Sequence, residues 1–158
     1  MAFANTNEFI TGQRQLRTPS GAEVVAQRFT IVLPTSDLQA SDCGIVGYLP
    51  AGCIPLDVTV DGTDVDTGSG GAAQVFAVGL ASNATGDDIS TAAADGGGEW
   101  GRTTAVKTAF TQRLTLTLQA LVSVTKSEST RALVLKVITA PETAAAGTLG
   151  VTLFYCAA

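Results

Sequence analysis

The sequence predicts an all-β protein built as an antiparallel β-sandwich, and three observations carry this prediction. Apolar and polar residues alternate in several runs, as at Leu56, Val58 and Val60, which share one face of residues 54–60. Turn residues separate the runs at the even spacing typical of sandwiches and barrels. No long amphipathic helix lies between them, which argues against a parallel α/β sheet. With 158 residues and no internal repeat, the chain has the size of one domain.

We divide the chain into an N-terminal arm, residues 1–20, and a single sandwich domain, residues 21–158. The predicted strands are residues 23–33, 45–49, 54–60, 74–80, 110–125, 133–139 and 149–155. Residues 81–101 form the longest irregular segment, and its Trp100 is predicted to lie in the core. These seven runs come close to the strand number of an eight-stranded jelly roll, which we predict here with an extended arm.

Residues 110–125 give the strongest strand prediction. Apolar residues fill the even positions from Leu114 to Val124, and threonine or other polar residues fill most odd ones. Leu121 breaks this alternation, which we assign to a bulge or a buried contact. The many threonines argue against a helix here.

Composition excludes several classes of function. Histidine is absent, which removes Ser-His-Asp and Cys-His catalysis and histidine metal sites. The net charge of -5 argues against nucleic acid as the main partner. No apolar stretch approaches the roughly 18 residues of a membrane span, and residues 1–17 lack the pattern of a secretion signal. We therefore expect a soluble protein with no membrane partner.

The three cysteines, Cys43, Cys53 and Cys156, are odd in number and form no C-x-x-C pair. This favours buried free thiols in a reducing compartment, although a bridge between the first two stays open.

An acidic loop carries two candidate sites. Asp61, Asp64 and Asp66 could bind calcium through oxygen ligands, but Val75 stands at the twelfth position from Asp64, where an EF-hand needs glutamate. We therefore expect turn-capping aspartates and predict no metal or other cofactor, while calcium stays open.

The motif D-T-G-S at residues 66–69 matches the aspartic protease signature, whose chemistry needs two such aspartates sharing a proton. The chain holds one D-T-G, set among glycines in what we expect to be an open, wet loop. We predict no catalytic residues, and a cost below about 1 kcal/mol for Asp66→Asn.

Charge is segregated along the chain. Residues 29–101 contain ten acids and no lysine or arginine, whereas the two ends together hold all nine bases and four acids. This pattern has two interpretations: ordinary solvated loops, or a polar molecule whose basic end docks on an acidic partner. The low charged content of 15% also predicts exposed apolar patches and self-association.

The arm combines apolar and basic side chains and is expected to bury little on its own body. It is either a frayed terminus or a segment that orders against a neighbouring subunit. The second interpretation assigns partner binding to five residues: Phe3, Phe9, Ile10, Arg14 and Arg17.

Two stretches resemble tailed-bacteriophage head decoration (cement) proteins of the β-sandwich or jelly-roll type. In the first, L-P-A-G at residues 49–52 leads into a strand, D-V-D-T-G follows at 64–68, and F-A-V-G-L at 76–80 forms the next strand. In the second, P-E-T-A-A-A-G at 141–147 feeds the closing strand. The resemblance covers most of residues 45–80 and 139–158.

This resemblance implies a non-enzymatic virion protein, made in the cytoplasm of a bacterial host, that stabilises the outer surface of a capsid. The implied partners are the major capsid protein and further copies of the chain, most often as a trimer. The alternative is a receptor- or glycan-binding head or tail module, which the low aromatic content of 6% disfavours.

Overall fold

The computed structural model describes residues 7–33, 38–70 and 74–158. Within these ranges, eight strands form two antiparallel four-stranded sheets, and the predicted all-β sandwich is confirmed. The strands are β1 (Val24–Leu33), β2 (Cys43–Leu49), β3 (Cys53–Gly62), β4 (Val75–Leu80), β5 (Gly101–Arg102), β6 (Phe110–Arg113), β7 (Arg131–Thr139) and β8 (Gly147–Ala157). The connections between the described strands contain one short helix, α1 (Leu118–Ser123), and one 3₁₀ turn (Ala93–Asp95). A membrane-spanning helix is not found in the described ranges.

The first sheet has the strand order β1-β8-β3-β6 and the second has the order β2-β7-β4-β5. The pairs β1–β8, β2–β7, β3–β6 and β4–β5 therefore fall alternately in the two sheets. The two ends of the body meet in the first sheet, where Val24 pairs with Cys156 and Leu33 pairs with Gly147.

The core lies between the sheets and is filled by inward-facing residues of the longer strands. In β1, Val25, Phe29, Ile31 and Leu33 point inward and are buried, as period-two alternation requires. Each fully buried side chain of this kind contributes about 1.5–3 kcal/mol. Trp100 is fully buried and its indole N–H donates to the Asp95 carbonyl at 2.8 Å, which confirms its predicted place in the core.

The segment around Ile89, which follows β4, covers part of the outer face of the second sheet. Ile89 packs on β4 and β7 in a second apolar cluster with Ala77 and Val134. A Cβ atom at Gly79 would lie 2.7 Å from Ile89, so the glycine lets the covering segment approach the strand. Lys136 Nζ, 2.6 Å from the Asp88 carboxylate, fastens the cover to β7.

The prediction of a single strand over residues 110–125 is wrong. Strand β6 ends at Arg113, and α1 follows after a short irregular stretch. Thr117 begins the helix: its backbone N–H donates to the Trp100 carbonyl at 2.7 Å, and its hydroxyl accepts the Ala120 N–H at 3.1 Å. The tertiary contact and the helix cap outweigh the local preference of the threonines for extended backbone.

Candidate functional surfaces

The described part of the arm, residues 7–20, packs against the sandwich beside the edge strands β1 and β2. The Asn7 amide donates to the Val46 carbonyl of β2 at 2.8 Å, where the pairing of β2 with β7 shifts register. Its side-chain oxygen accepts the N–H groups of Phe9 and Ile10, both at 3.1 Å. Asn7 thus ties the arm to one sheet and sets the turn that follows.

Phe9 is buried in the main core cluster. Its ring meets Phe29 of β1 edge-to-face, with centroids 4.9 Å apart. A Cβ atom at Gly47 would overlap the Phe29 ring, so this glycine makes room for the aromatic pair. The expectation that the arm buries little on its own body is therefore wrong at Phe9.

The other four predicted contact residues differ in their surroundings. Phe3 lies outside the described residues. Ile10 is half-buried, and the Arg14 guanidinium lies 5.2 Å from the Phe9 ring centroid and 3.8 Å from Glu8. Arg17 pairs with Glu23 at 2.5 Å. Both arginine side chains are more than half exposed and their ion pairs contribute little, so both guanidinium groups are accessible.

The Arg17 backbone is fixed from the far end of the chain. The Tyr155 hydroxyl donates to the Arg17 carbonyl at 2.5 Å. Burial, together with the nearby Cys53, raises the pKa of Tyr155 to about 12 despite the opposing charge of Arg17. The phenol therefore stays protonated and keeps this hydrogen bond throughout the physiological range.

Asp66 is buried, only 1% exposed, so the expectation of an open, wet loop is wrong at this residue. Its carboxylate accepts the backbone N–H groups of Gly68, Glu142 and Thr143 at 3.0, 3.1 and 3.1 Å. Burial alone would raise the pKa of Asp66, but these bonds and the charge of Lys107 lower it. Asp66 joins the loop after β3 to the loop between β7 and β8.

The same two loops are joined a second time at Gly70. The Glu142 carboxylate accepts the Gly70 N–H at 2.5 Å, and the Lys107 ammonium donates to the Gly70 carbonyl. Lys107 also lies 3.7 Å from Glu142. Hydrogen bonds to Glu142, Thr143 and Lys107 thus fix the acidic loop to the rest of the protein.

The three candidate calcium ligands do not converge. Asp61 pairs with Arg28, Asp66 is occupied by backbone N–H groups, and Asp64 is exposed. Over the described ranges, no group of three potential ligands is placed to hold a metal ion.

The cysteines are free thiols. Burial, reinforced by the charge of Asp88, raises the pKa of Cys43 to about 11, which keeps it protonated and unreactive. Cys53 is also buried, and its thiol donates to the Ala51 carbonyl at 3.6 Å.

The most exposed apolar side chains of α1 lie beside a groove. Leu118 is 76% exposed, Val122 is 71% exposed and Leu121 is 48% exposed, and their i, i+3, i+4 spacing puts them on one face. The groove, of about 330 Å³, is lined by residues of β3, β6, α1 and the stretch between β6 and α1, including Leu56, Leu116 and Leu121. Sequence reasoning missed this surface, although the adjacent pair Leu121 and Val122 was its signal.

A second cleft, of about 460 Å³, lies at one end of the outer face of the second sheet. Tyr48, Asn83, Ser129 and Arg131 are among its lining residues. The Arg131 guanidinium donates to the carbonyls of Ala94 and Thr125 and pairs with Asp95, while its buried Nε–H has no partner among the described residues. The Arg131 guanidinium therefore holds the wall of the cleft together, and the cleft itself is lined by polar and apolar side chains.

Acids and bases that are segregated along the sequence form ion pairs with each other in the fold. Five acids of the base-free middle segment form ion pairs with bases from outside it: Asp57–Arg113, Asp61–Arg28, Asp88–Lys136, Asp95–Arg131 and Glu99–Arg102. These pairs favour the interpretation as solvated loops over separate basic and acidic ends.

Comparison with known proteins gives matches among solved structures. A chain of the structure described as the capsid of Ralstonia phage GP4 matches with a TM-score of 0.77 and 28% identity, over 100% of this chain and 97% of that one. A chain of the cyanophage Pam1 capsid asymmetric unit matches with a TM-score of 0.55 and 23% identity, over 91% and 94%. The second likeness is one of fold alone.

Neither a family model nor a curated protein matches the chain. The likeness to capsid structures confirms the resemblance predicted from the sequence motifs, at the level of a phage capsid-type protein. It supports a structural role in a virion.

Proposed function

We propose that the chain is a decoration protein, which binds the outer surface of an assembled phage capsid and stabilises the head. The carrying observation is the match to the Ralstonia phage GP4 capsid, which covers nearly all of both chains. The two chains are therefore of similar length, and the matched component of that capsid consists of one domain of this kind. No enzymatic step is part of the proposal.

Charge supports a position on the outside. Packaged DNA presents a dense array of phosphates to the inner wall of a head, and proteins bind such an array through lysine and arginine. This chain carries a net charge of -5, and its bases are largely engaged with its own acids. An outward position avoids the repulsion that the interior would impose.

We further propose that the sandwich is a jelly roll. The nested pairs β1–β8, β2–β7, β3–β6 and β4–β5, placed alternately in the two sheets, support this assignment. The proposed partners are the major capsid protein and other copies of the chain, assembled as a trimer.

The arm remains our proposed contact with a partner. Phe9 is buried in the core of its own chain and is not available to a partner. We therefore assign the contact to Phe3, Ile10 and the exposed guanidinium groups of Arg14 and Arg17. These arginines can exchange weak ion pairs within the arm for charge-assisted bonds to carboxylates of a partner.

The direct test is co-sedimentation of the purified chain with heads of the phage that encodes it, stripped of their own copies. We expect saturable binding at hundreds of copies per head and increased resistance of the heads to heat. Absence of binding, or saturation at a few to some dozens of copies, would contradict decoration.

The arm is tested by reversing its charges. Arg14→Glu with Arg17→Glu should weaken head binding at least about tenfold, because two favourable charge contacts become repulsive. The matched control is Arg102→Glu, which reverses a similarly exposed arginine on β5. Equal weakening by the control, with the fold of both variants intact by circular dichroism, would show a non-specific charge effect.

One observation favours a second candidate, the glycan-binding head or tail module. The cleft combines the aromatic ring of Tyr48 with the hydroxyl groups of Ser129 and Thr130, which are groups that saccharides bind. A glycan array distinguishes the two functions: binding lost in Tyr48→Ala, together with a low copy number per virion, selects the module.

A further inference from the structure

We infer that the outward face of α1 and the adjoining groove form the surface through which this chain contacts a second copy of itself. This surface consists of the groove residues Leu56, Leu116 and Leu121 and the projecting residues Leu118 and Val122. The inference rests on the self-association in the proposed function but not on capsid binding.

The helix has distinct inner and outer faces. Ala120 is fully buried in the core, and Leu114 and Val124, on either side of the helix, are buried as well. Leu118, Leu121 and Val122 are exposed although they belong to the same segment. The segment therefore has enough apolar residues to anchor it to the body and to leave a second set facing solvent, which is typical of an interaction surface.

The charge around the surface favours a copy of the same chain as its occupant. Residues 114–125 contain no charged side chain. The nearest charges on the groove wall, Asp57 and Arg113, lie 2.5 Å apart and neutralise each other. Two molecules that each carry a net charge of -5 repel, so they associate best through a face that brings no like charges together.

The shape of the surface also fits self-association. Projecting side chains and a groove lie side by side on one surface, so a symmetric arrangement can place Leu118 and Val122 of each copy in the groove of its neighbour. A chemically different partner would need to match an uncharged surface that offers no ionic contact to select it.

The test compares three aspartate substitutions at similarly exposed apolar sites. Leu118→Asp introduces a charge into the proposed interface at the first residue of α1, where an acid suits the helix and should not impair folding. Val32→Asp is the matched control: Val32 is 70% exposed but lies on β1, at the opposite edge of the first sheet from β6. Val122→Asp is the second interface variant.

Sedimentation equilibrium of each protein, without heads, measures self-association. We expect wild type to form oligomers, Leu118→Asp and Val122→Asp to raise the dissociation constant at least about tenfold, and Val32→Asp to change it less than about twofold. A wild type that stays monomeric up to about 200 μM, or an equal effect of the control, would overturn the inference.

Binding to heads identifies the other occupant. If wild type is monomeric and Leu118→Asp abolishes head binding while Val32→Asp does not, the surface meets the capsid shell and the self-association inference is wrong. If the interface variants become monomeric but still bind heads, the inference holds irrespective of how the decoration test ends.

Discussion

At the scale of single residues, Asp66 holds two loops together through one carboxylate. Replacement by asparagine keeps one acceptor oxygen but turns an N–H₂ group toward a backbone N–H, either that of Glu142 or those of Gly68 and Thr143. We expect Asp66→Asn to lower the free energy of unfolding by about 1–3 kcal/mol. Urea denaturation at pH 7 measures this loss, which is larger than the sequence motif alone predicts.

Asp64→Asn is the control, because Asp64 lies in the same loop but is exposed and accepts only one N–H in the described structure, that of Asp66. We expect it to stay within about 0.5 kcal/mol of wild type. Equal stability of wild type and Asp66→Asn would show that the buried carboxylate does not join the loops.

The stabilisation by Asp66 also depends on pH with a defined sign. The pKa of Asp66 is lowered in the folded state, so the unfolded chain takes up the proton first as the solution is acidified. Stabilisation is therefore complete above the usual aspartate pKa, near 4, and is lost as the pH falls through the lowered value. The gap between wild type and Asp66→Asn should be constant between about pH 5 and 7 and close below about pH 4.

At the scale of elements, the arm contributes to the stability of the body. Phe9 fills the side of the sandwich near β1 and β2, so Phe9→Ala should lower the free energy of unfolding by about 2–4 kcal/mol. Thermal and urea unfolding measure the change. Ile10→Ala is the control, because Ile10 is only half-buried and should lose about 1 kcal/mol or less.

This result bears on how deletions of the arm are interpreted. Removal of residues 2–17 takes away Phe9 and Asn7 along with the proposed partner contacts, so weaker head binding of that variant would have two causes. If Phe9→Ala is as stable as wild type, the arm does not stabilise the body. Weaker head binding after deletion of residues 2–17 would then report the partner contacts alone.

Elements with an uninterrupted apolar pattern were predictable, and elements set by tertiary contacts were not. The strands β1, β3, β4, β7 and β8 lie close to their predicted positions because each is a run rich in apolar and β-branched residues. Strand β5 has only two residues, too few for any period, and its pairing with β4 brings Arg102 opposite Ala77. Helix α1 begins where Thr117 meets Trp100, a contact that local sequence cannot indicate.

At the scale of the whole molecule, the sequence predicted the composition of the core but not the partners of polar groups. Burial of Trp100 follows from its chemistry alone. The pairing of the middle acids with bases from outside that segment depends on which strands become neighbours, as in Arg28 of β1 and Asp61 of β3, two strands apart in the first sheet. The α1 surface was hidden for the same reason, because its residues fit a strand until the fold turns them outward.

The meeting of the two ends of the body in the first sheet has a consequence for biosynthesis. Strand β1 has no partner other than β8 in the described sheet, and β8 leaves the ribosome after the other seven described strands. The first sheet therefore closes only once β8 has been synthesised, and such distant pairing folds on the slow scale of milliseconds to seconds. Until then β1 exposes its backbone and inward apolar side chains, so translation that stalls before β8 yields a product prone to aggregation and degradation.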